Sequence, residues 1–284
     1  PEFIMPENRR QEIINIIKGG LKDLNISRST FDWGIPVPIS DKNEVIYVWF
    51  EALINYITAA GYMEDEERLK KLWPADVHII GKDILKFHAI IWPTMLMAAG
   101  LELPKMVAVH GWWTIDGKKM SKSSGNAVNP ADIITHVGVD GYRYFLLKAV
   151  PFGQDGDFSK TALIRCVNSS LANDLGNLVS RTIAMVNKYF DGSIPSQQGD
   201  NPLKETALRI VSEIDNSMCR LEFHNALKSI WELIGECNRY VDRCAPWTLF
   251  KEGKIHELKG VLYNLLESIR FVTILVSPFI PGIA

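Results

Sequence analysis

The sequence predicts an α/β chain in two parts: one half of a Rossmann-type, doubly wound parallel sheet, and behind it an all-α helical bundle. Three observations predict this. In residues 41–115, short apolar runs that do not alternate with polar residues are separated by helical segments. A basic loop leaves the last of these runs. From about Ala162 onward, apolar residues keep helix spacing at every step.

The runs are VIYVWF (45–50), VHIIG (77–81) and MVAVHGWW (106–113). A strand buried on both faces loses the polar half of its alternation, so such runs read as parallel strands. Between them lie the helical segments EALINYITAA (51–60), with its polar continuation to Trp73, and DILKFHAIIWPTMLMAAG (83–100), which stops at Gly100. Strand, helix, strand, helix, strand is a right-handed half-sheet, and a whole nucleotide-binding fold of this kind takes two. Ahead of it, residues 6–40 hold one amphipathic helix (RRQEIINIIKGG) and the proline-bounded FDWGIPVP, the end of an insertion rejoining a sheet. In the helical part, Ala207, Ile210, Val211, Ile214 and Met218 share one face. So do Leu227, Ile230, Trp231, Ile234 and Val241, and then Leu258, Val261, Leu262, Leu265 and Ile269. The one long connection is DGSIPSQQGDNP (191–202).

A length of 284 residues favours two domains. With 47% apolar and 23% charged residues, and no apolar run near the roughly 18 residues of a bilayer span, the chain reads as cytoplasmic with no membrane partner. The start, PEFIMPENRR, has neither an initiator Met nor a signal-peptide layout, so residue 1 reads as the interior of a longer protein. The final SPFIPGIA stops inside an apolar segment and reads as cut short. A net charge of −2 gives no global basic field, so any RNA contact is local. Cys166, Cys219, Cys237 and Cys244 lack the paired spacings of a zinc site and read as buried reduced thiols. The sequence leaves the oligomeric state open.

The loop is IDGKKMSKSSGNAV (115–128). Asp116-Gly117 directly after a strand is a turn signal, which places the lysines on or just beyond a hairpin tip. By composition alone this is an ordinary solvated turn. The order of residues says more, since K-M-S-K-S is expected by chance in roughly one chain in ten thousand of this length. The string, Lys119 to Ser123, resembles the KMSKS signature of the class I aminoacyl-tRNA synthetases. The resemblance implies ATP as cofactor, a loop that closes over its triphosphate, and lysines that neutralise charge as pyrophosphate leaves. Lys122 is the first catalytic candidate and Lys119 the second; Met120, Ser121 and Ser123 join them as ATP-binding candidates.

YVWFEALINY, IIGKDILKFHAIIWP and HGWW, with SRSTFDWGIPVP ahead of them, are together similar to the methionyl-tRNA synthetases nearly from end to end. Motif matching then puts Trp49, Ala52, Leu53, Tyr56, Ile84 and His88 in the methionine pocket. A thioether carries no charge and barely accepts hydrogen bonds, so aromatic and aliphatic walls suit it. Each residue also has a plainer reading: Trp49 as a core residue of a strand, and Ile84 and His88, four apart, as one packed helix face. Gly81 and Asp83 sit where a buried strand opens into a helix, and the resemblance puts them on the ATP ribose or adenylate; the plainer reading makes Asp83 a helix N-cap. His110, Gly111 and Trp113 are adenine-side candidates. Glu51 departs from the Asp common in relatives.

In LANDLGNLVSRTIAMVNKYF (171–190), helix spacing puts Leu175, Val179, Ile183, Val186 and Phe190 on one stripe and Asn173, Asn177, Arg181 and Lys188 on the other. NLVSR resembles the helix with which this family reads the methionine anticodon, matching at Asn177 and Arg181. In NRYVDRCAPWTLFK, Pro246 ends a helix and leaves Trp247 just beyond it. By itself that indole is a packing anchor; in the family the matching Pro-Trp stacks on an anticodon base, and Asn238 is a neighbour. The resemblance therefore implies methionine and tRNA(Met), anticodon included, as partners.

Under the resemblance the domains are 1–40, the end of a connective insertion; 41–115, the second half of the Rossmann catalytic domain; 116–161, the KMSKS loop and stem-contact region; and 162–284, the anticodon-binding domain. The implied reaction is attack by the methionine carboxylate on the α-phosphate of ATP, then transfer to tRNA, driven by positioning, lysine charge and Mg²⁺ carried by the ATP. No metal ligand is assigned here. The HIGH motif, and any structural Zn²⁺ of the connective insertion, belong upstream of Pro1, so the chain is expected to be inactive alone. A non-catalytic tRNA-binding module derived from a synthetase is the alternative. An unrelated nucleotidyltransferase would explain the loop but neither NLVSR nor APW.

Overall fold

The computed structural model describes residues 2–39, 43–115, 117–120 and 128–284, with the Lys119 side chain outside that set. The chain divides into two compact units, Pro1–Gly111 and Trp112–Ala284.

In the first unit, β1 (Ile4–Met5) leads into α1 (Glu7–Lys18), followed by β2 (Ser27–Arg28), β3 (Val45–Ile46), α2 (Val48–Ala60), α3 (Glu66–Leu72) and β4 (His78–Gly81). A 3₁₀ turn (Lys82–Ile84), a π-helical segment (Phe87–Ile91) and α4 (Trp92–Ala98) then return the chain to β5 (Val107–His110). The main sheet is parallel, in the order β1-β5-β4. The central strand β5 has Val107, Ala108 and Val109 fully buried, which is why its run carries no polar alternation. Among the described residues β4 borders only β5, and its Ile79 is 69% exposed while His78 and Ile80 are buried.

The structure corrects two of the three strands read from sequence. In VIYVWF only Val45–Ile46 is extended, pairing antiparallel with β2, and the chain turns helical at Val48. Trp49 therefore stands in the first turn of a helix. Trp49, Leu53, Ile57 and Ala60 follow helix spacing, so the apolar run is the start of a buried helix face, which periodicity cannot tell from a strand in six residues. MVAVHGWW also divides: β5 ends at His110, and Trp113 begins a strand of the second unit. The helix after β4 holds its Gly100 stop, with φ +69°, yet it is not uniform, because a π-helical stretch precedes Pro93, which has no N–H to donate.

The second unit opens with β6 (Trp113–Ile115) and β7 (Lys118–Lys119), antiparallel across Gly117, and β6 also pairs in parallel with β8 (Gly156–Asp157). Gly117 thus lies between paired hairpin strands, as expected of the turn, while its other residue, Asp116, lies outside the described residues. Between these strands runs α5 (Pro130–Ala149), opened by Asn129, whose side chain accepts the Ala131 N–H. This helix precedes the start of the helical region read from sequence. There follow α6 (Lys160–Cys166), a π-helical segment (Val167–Gly176), α7 (Asn177–Phe190), α8 (Lys204–Cys219), α9 (Phe223–Cys244), α10 (Pro246–Lys251) and α11 (Ile255–Val276). One continuous apolar core runs through the bundle, with Ile210, Ile230, Leu233 and Leu265 fully buried. The faces predicted for α8, α9 and α11 are largely those that pack.

The stripe predicted for α7 is rotated. Leu175 and Val186 are buried as expected, but Leu178 and Thr182 join them, and Ile183 is 48% exposed. The Thr182 hydroxyl donates to the Leu178 carbonyl, 2.8 Å away, so a residue counted as polar is satisfied within its own helix and packs inward. The four cysteines are free, but of the four expected to be buried Cys237 alone is, with Cys166 and Cys244 half-buried and Cys219 exposed. No helix among the described residues is long and apolar enough to cross a membrane.

Candidate functional site

In the first unit, α2 and the π-helical segment bring Trp49, Tyr56 and His88 into one aromatic cluster with Leu53 packed at Tyr56, while Ile84 ends the 3₁₀ turn and its side chain joins the separate apolar cluster of Ile80, Leu85 and Ile90. His88 is buried, its ring 5.7 Å from that of Tyr56 and 6.4 Å, edge-on, from that of Trp49. His88 Nδ1 lies 3.0 Å from the Ile84 carbonyl, which can only accept, so Nδ1 carries the proton. Nε2 is left as an acceptor, and the Tyr56 hydroxyl donates to it across 2.9 Å. Burial lowers the His88 pKa, which keeps the ring neutral and this arrangement in place. Leu53 is fully buried behind the cluster, whereas Ala52 is exposed on the outer side of α2.

Two residues that carried no sequence signal complete it. Phe87 stacks on Trp49, with ring centroids 4.8 Å apart and planes 16° from parallel. His78 packs at 4.3 Å against Tyr56 and accepts the Trp92 indole N–H at 3.3 Å. Burial, reinforced by the neighbouring His88, pulls the His78 pKa down to about 4. Helix spacing from His88 points to Trp92, but His78 lies on a strand and only the fold brings it here. A cleft of about 370 Å³ opens beside these rings, lined by Tyr56, Ala59, Ala60, Leu72, Trp73, Val77 and His78 among others.

Gly81 and His110 are register partners at the C-terminal ends of β4 and β5, where ligands of open parallel sheets collect. A Cβ at Gly81 would lie 2.7 Å from Asp83 Oδ1 and 3.6 Å from His110 Cε1, so a bare backbone is what lets these groups approach. Asp83 does not cap the helix; Gly81 holds that position without a side-chain bond, and Asp83 stays exposed. His110 donates from Nδ1 to the Gly111 carbonyl at 2.8 Å. The last adenine-side candidate, Trp113, belongs to the second unit, its ring packed on Gly156 and 5.9 Å from that of Phe145.

The hairpin that carries the basic loop is braced by Asp157, which accepts the Thr114 hydroxyl at 2.7 Å and the Gly117 N–H at 3.0 Å. Those two bonds hold the Asp157 carboxyl below its ordinary pKa. Lys119 lies in β7 and Met120 follows, half-buried against the apolar cluster of Ile133, Phe145, Phe158 and Leu163. Ser121, Lys122 and Ser123 lie outside the described residues.

On the bundle, Asn177 is exposed at the start of α7, and Arg181, one turn on, pairs with Asp242 of α9 at 3.2 Å. Asn238 donates to the Asp174 carbonyl at 3.1 Å, tying α9 to the π-helical segment. α9 ends at Cys244, Ala245 takes a left-handed conformation, and Pro246 opens α10, which leaves the Trp247 ring 40% exposed. Pro246 itself is buried. Among the described residues, no group of three or more His, Cys, Asp or Glu is placed to hold a metal ion.

Residues 1–183 match the family model described as tRNA synthetases class I (M), and residues 192–284 match the anticodon binding domain of methionyl tRNA ligase. A methionine–tRNA ligase of Caldanaerobacter subterraneus subsp. tengcongensis is 56% identical over 99% of this chain and 45% of its own length. That of Bacillus subtilis is 50% identical over 99% of this chain and 43% of its own. The structure of Mycobacterium tuberculosis methionyl-tRNA synthetase in complex with methionyl-adenylate superposes with a TM-score of 0.93 at 43% identity, covering 99% of this chain and 57% of that one. The chain thus spans just under half the length of these curated relatives. It belongs to the methionyl-tRNA synthetase family of class I tRNA synthetases.

Proposed function

We propose that this chain is the part of a methionine–tRNA ligase that walls the methionine pocket, supplies one side of the ATP site and reads the anticodon of tRNA(Met) in the cytoplasm. The observation that carries the reading is the convergence of Trp49, Tyr56 and His88 around a neutral, buried imidazole, next to strand ends where Gly81, Asp83 and His110 meet. An apolar cluster with one fixed acceptor and no charge suits a thioether side chain.

ATP supplies the α-phosphate that the methionine carboxylate attacks, and Mg²⁺ arrives on its phosphates. Gly81, Asp83 and His110 fit the nucleoside end, because the missing Cβ leaves the backbone open beside a carboxylate. Lys119 and Lys122 are the charges that meet the departing pyrophosphate, with Met120, Ser121 and Ser123 shaping the loop. Asn177, Arg181, Asn238, Pro246 and Trp247 form the anticodon face, where amide and guanidinium groups bond splayed bases and the indole stacks.

Two measurements test this. Trp247→Ala in the chain should weaken tRNA(Met) binding about 5- to 100-fold at fixed salt; unchanged affinity removes the anticodon assignment. The chain alone should give no ATP–pyrophosphate exchange, while Lys122→Ala in the whole ligase should lose most of it. A whole ligase indifferent to Lys122→Ala would favour a non-catalytic tRNA-binding module.

A further inference from the structure

We propose that Tyr189 and Phe250 form a second base-stacking platform for single-stranded RNA, beside Trp247. This rests on the anticodon reading of the bundle and extends it to residues that no motif marks.

Phe250 lies on Tyr189 with ring centroids 4.3 Å apart and planes 21° from parallel, so α7 and α10 together present a two-ring stack. Phe250 remains 41% exposed, much like Trp247 at 40%. The two are three residues apart on α10, which makes them surface neighbours with Cβ atoms about 5–6 Å apart. Large aromatics left open side by side are unusual on a protein surface and common where nucleobases stack.

The charge around the stack suits a phosphate backbone. At about 100° per residue, Asn177, Arg181 and Lys188 fall within about 40° of one another around α7. The Lys188 ammonium lies 5.7 Å from the Tyr189 ring, and the exposed Lys251 follows Phe250 directly. Nearby acids are partly committed, Asp242 to Arg181 and Glu252 to Lys254, while Asp191 is exposed at the end of α7. From Asn177 to Tyr189 the helix rises about 18 Å and turns Tyr189 about 120° away from Asn177, so the platform stands beside the polar stripe, more than one base from its Asn177 end. The platform therefore takes a base flanking those held at Asn177, Arg181 and Trp247.

The test uses the full chain and a hairpin RNA carrying the methionine anticodon, with 2-aminopurine placed in turn on each side of the anticodon triplet. Phe250→Ala and Tyr189→Ala should weaken binding about 5- to 50-fold, within the range of single-base stacking. Phe250→Tyr should restore it. At one flanking position, quenching of 2-aminopurine should vanish in Phe250→Ala and persist in Trp247→Ala. Phe250→Leu separates stacking from packing: it keeps apolar bulk, so weaker binding at an unchanged melting temperature supports the platform and also decides the case if the alanine variants do not fold. Affinity within twofold of the parent for Phe250→Leu, with Trp247→Ala weakened, reduces the pair to a packing contact and overturns the proposal. If Trp247→Ala is equally without effect, or the parent does not bind the hairpin, the anticodon reading has failed and the platform falls with it.

Discussion

Tyr56 and His88 show how a single proton position is fixed by neighbours. Because the Ile84 carbonyl claims Nδ1–H, Nε2 must accept, and the Tyr56 hydroxyl is turned toward it. Tyr56→Phe removes the donor and leaves a buried ring nitrogen without a partner. The expected outcome is a loss of about 1–3 kcal/mol in unfolding free energy of the first unit, measured by urea denaturation. His88→Phe combined with Tyr56→Phe should recover part of it, since both polar partners are then gone. Motif matching reached Tyr56 and His88, but not His78, whose partners Tyr56 and Trp92 lie 22 and 14 positions away along the chain. No periodic pattern relates a strand residue to two separate helices.

Among elements, the β6–β7 hairpin bears on the proposed loop chemistry. Its base depends on a close approach: a Cβ at Gly156 would stand 2.8 Å from Trp113 Cζ3. Gly156→Ala must push the indole aside, with an expected cost of about 1–3 kcal/mol from overpacking. The amides of Gly156 and Phe158, which donate to the Trp112 and Thr114 carbonyls, should lose hydrogen-exchange protection, while those of α9 keep theirs. Protection equal to the parent's would mean that the indole moves freely. The turn was legible because Asp-Gly specifies a two-residue reversal. The strand β8 was not, since Gly156–Asp157 carries no apolar pattern and is extended only because β6 lies beside it.

Across the whole molecule, the two units have separate cores and separate titrating groups. His78 and His88 both belong to the first, and both have pKa values depressed by burial. Between the ordinary histidine value near 6.5 and the folded value of about 4 for His78, the unfolded chain binds more protons than the native one. The stability this contributes is complete above pH 6.5 and drains away as pH falls toward 4. The loss from His78 alone is about 2 kcal/mol between pH 7 and pH 5. In the bundle, Glu213 and Glu267 are held below the ordinary carboxylate value by Arg209 and Arg270, so their contributions fade only at lower pH. Amides of β4 and β5 should therefore lose exchange protection at pH 5 while those of α9 and α11 do not. His78→Gln, which keeps an acceptor for Trp92, should remove most of the dependence. Equal loss in both units would contradict this account.

By itself the sequence determined the succession of half-sheet and bundle, the packed faces of α8, α9 and α11, the hairpin turn, the break at Pro246 and the family. These are local: helix periodicity, turn chemistry and motif order are written in neighbouring residues. Tertiary structure decided that VIYVWF starts a helix, that Trp113 leaves the sheet of β5, that Thr182 packs inward, and that His78, Phe87 and Asp157 brace the candidate sites. Each depends on what lies across the fold, since an apolar or polar residue takes whichever environment its distant partners provide.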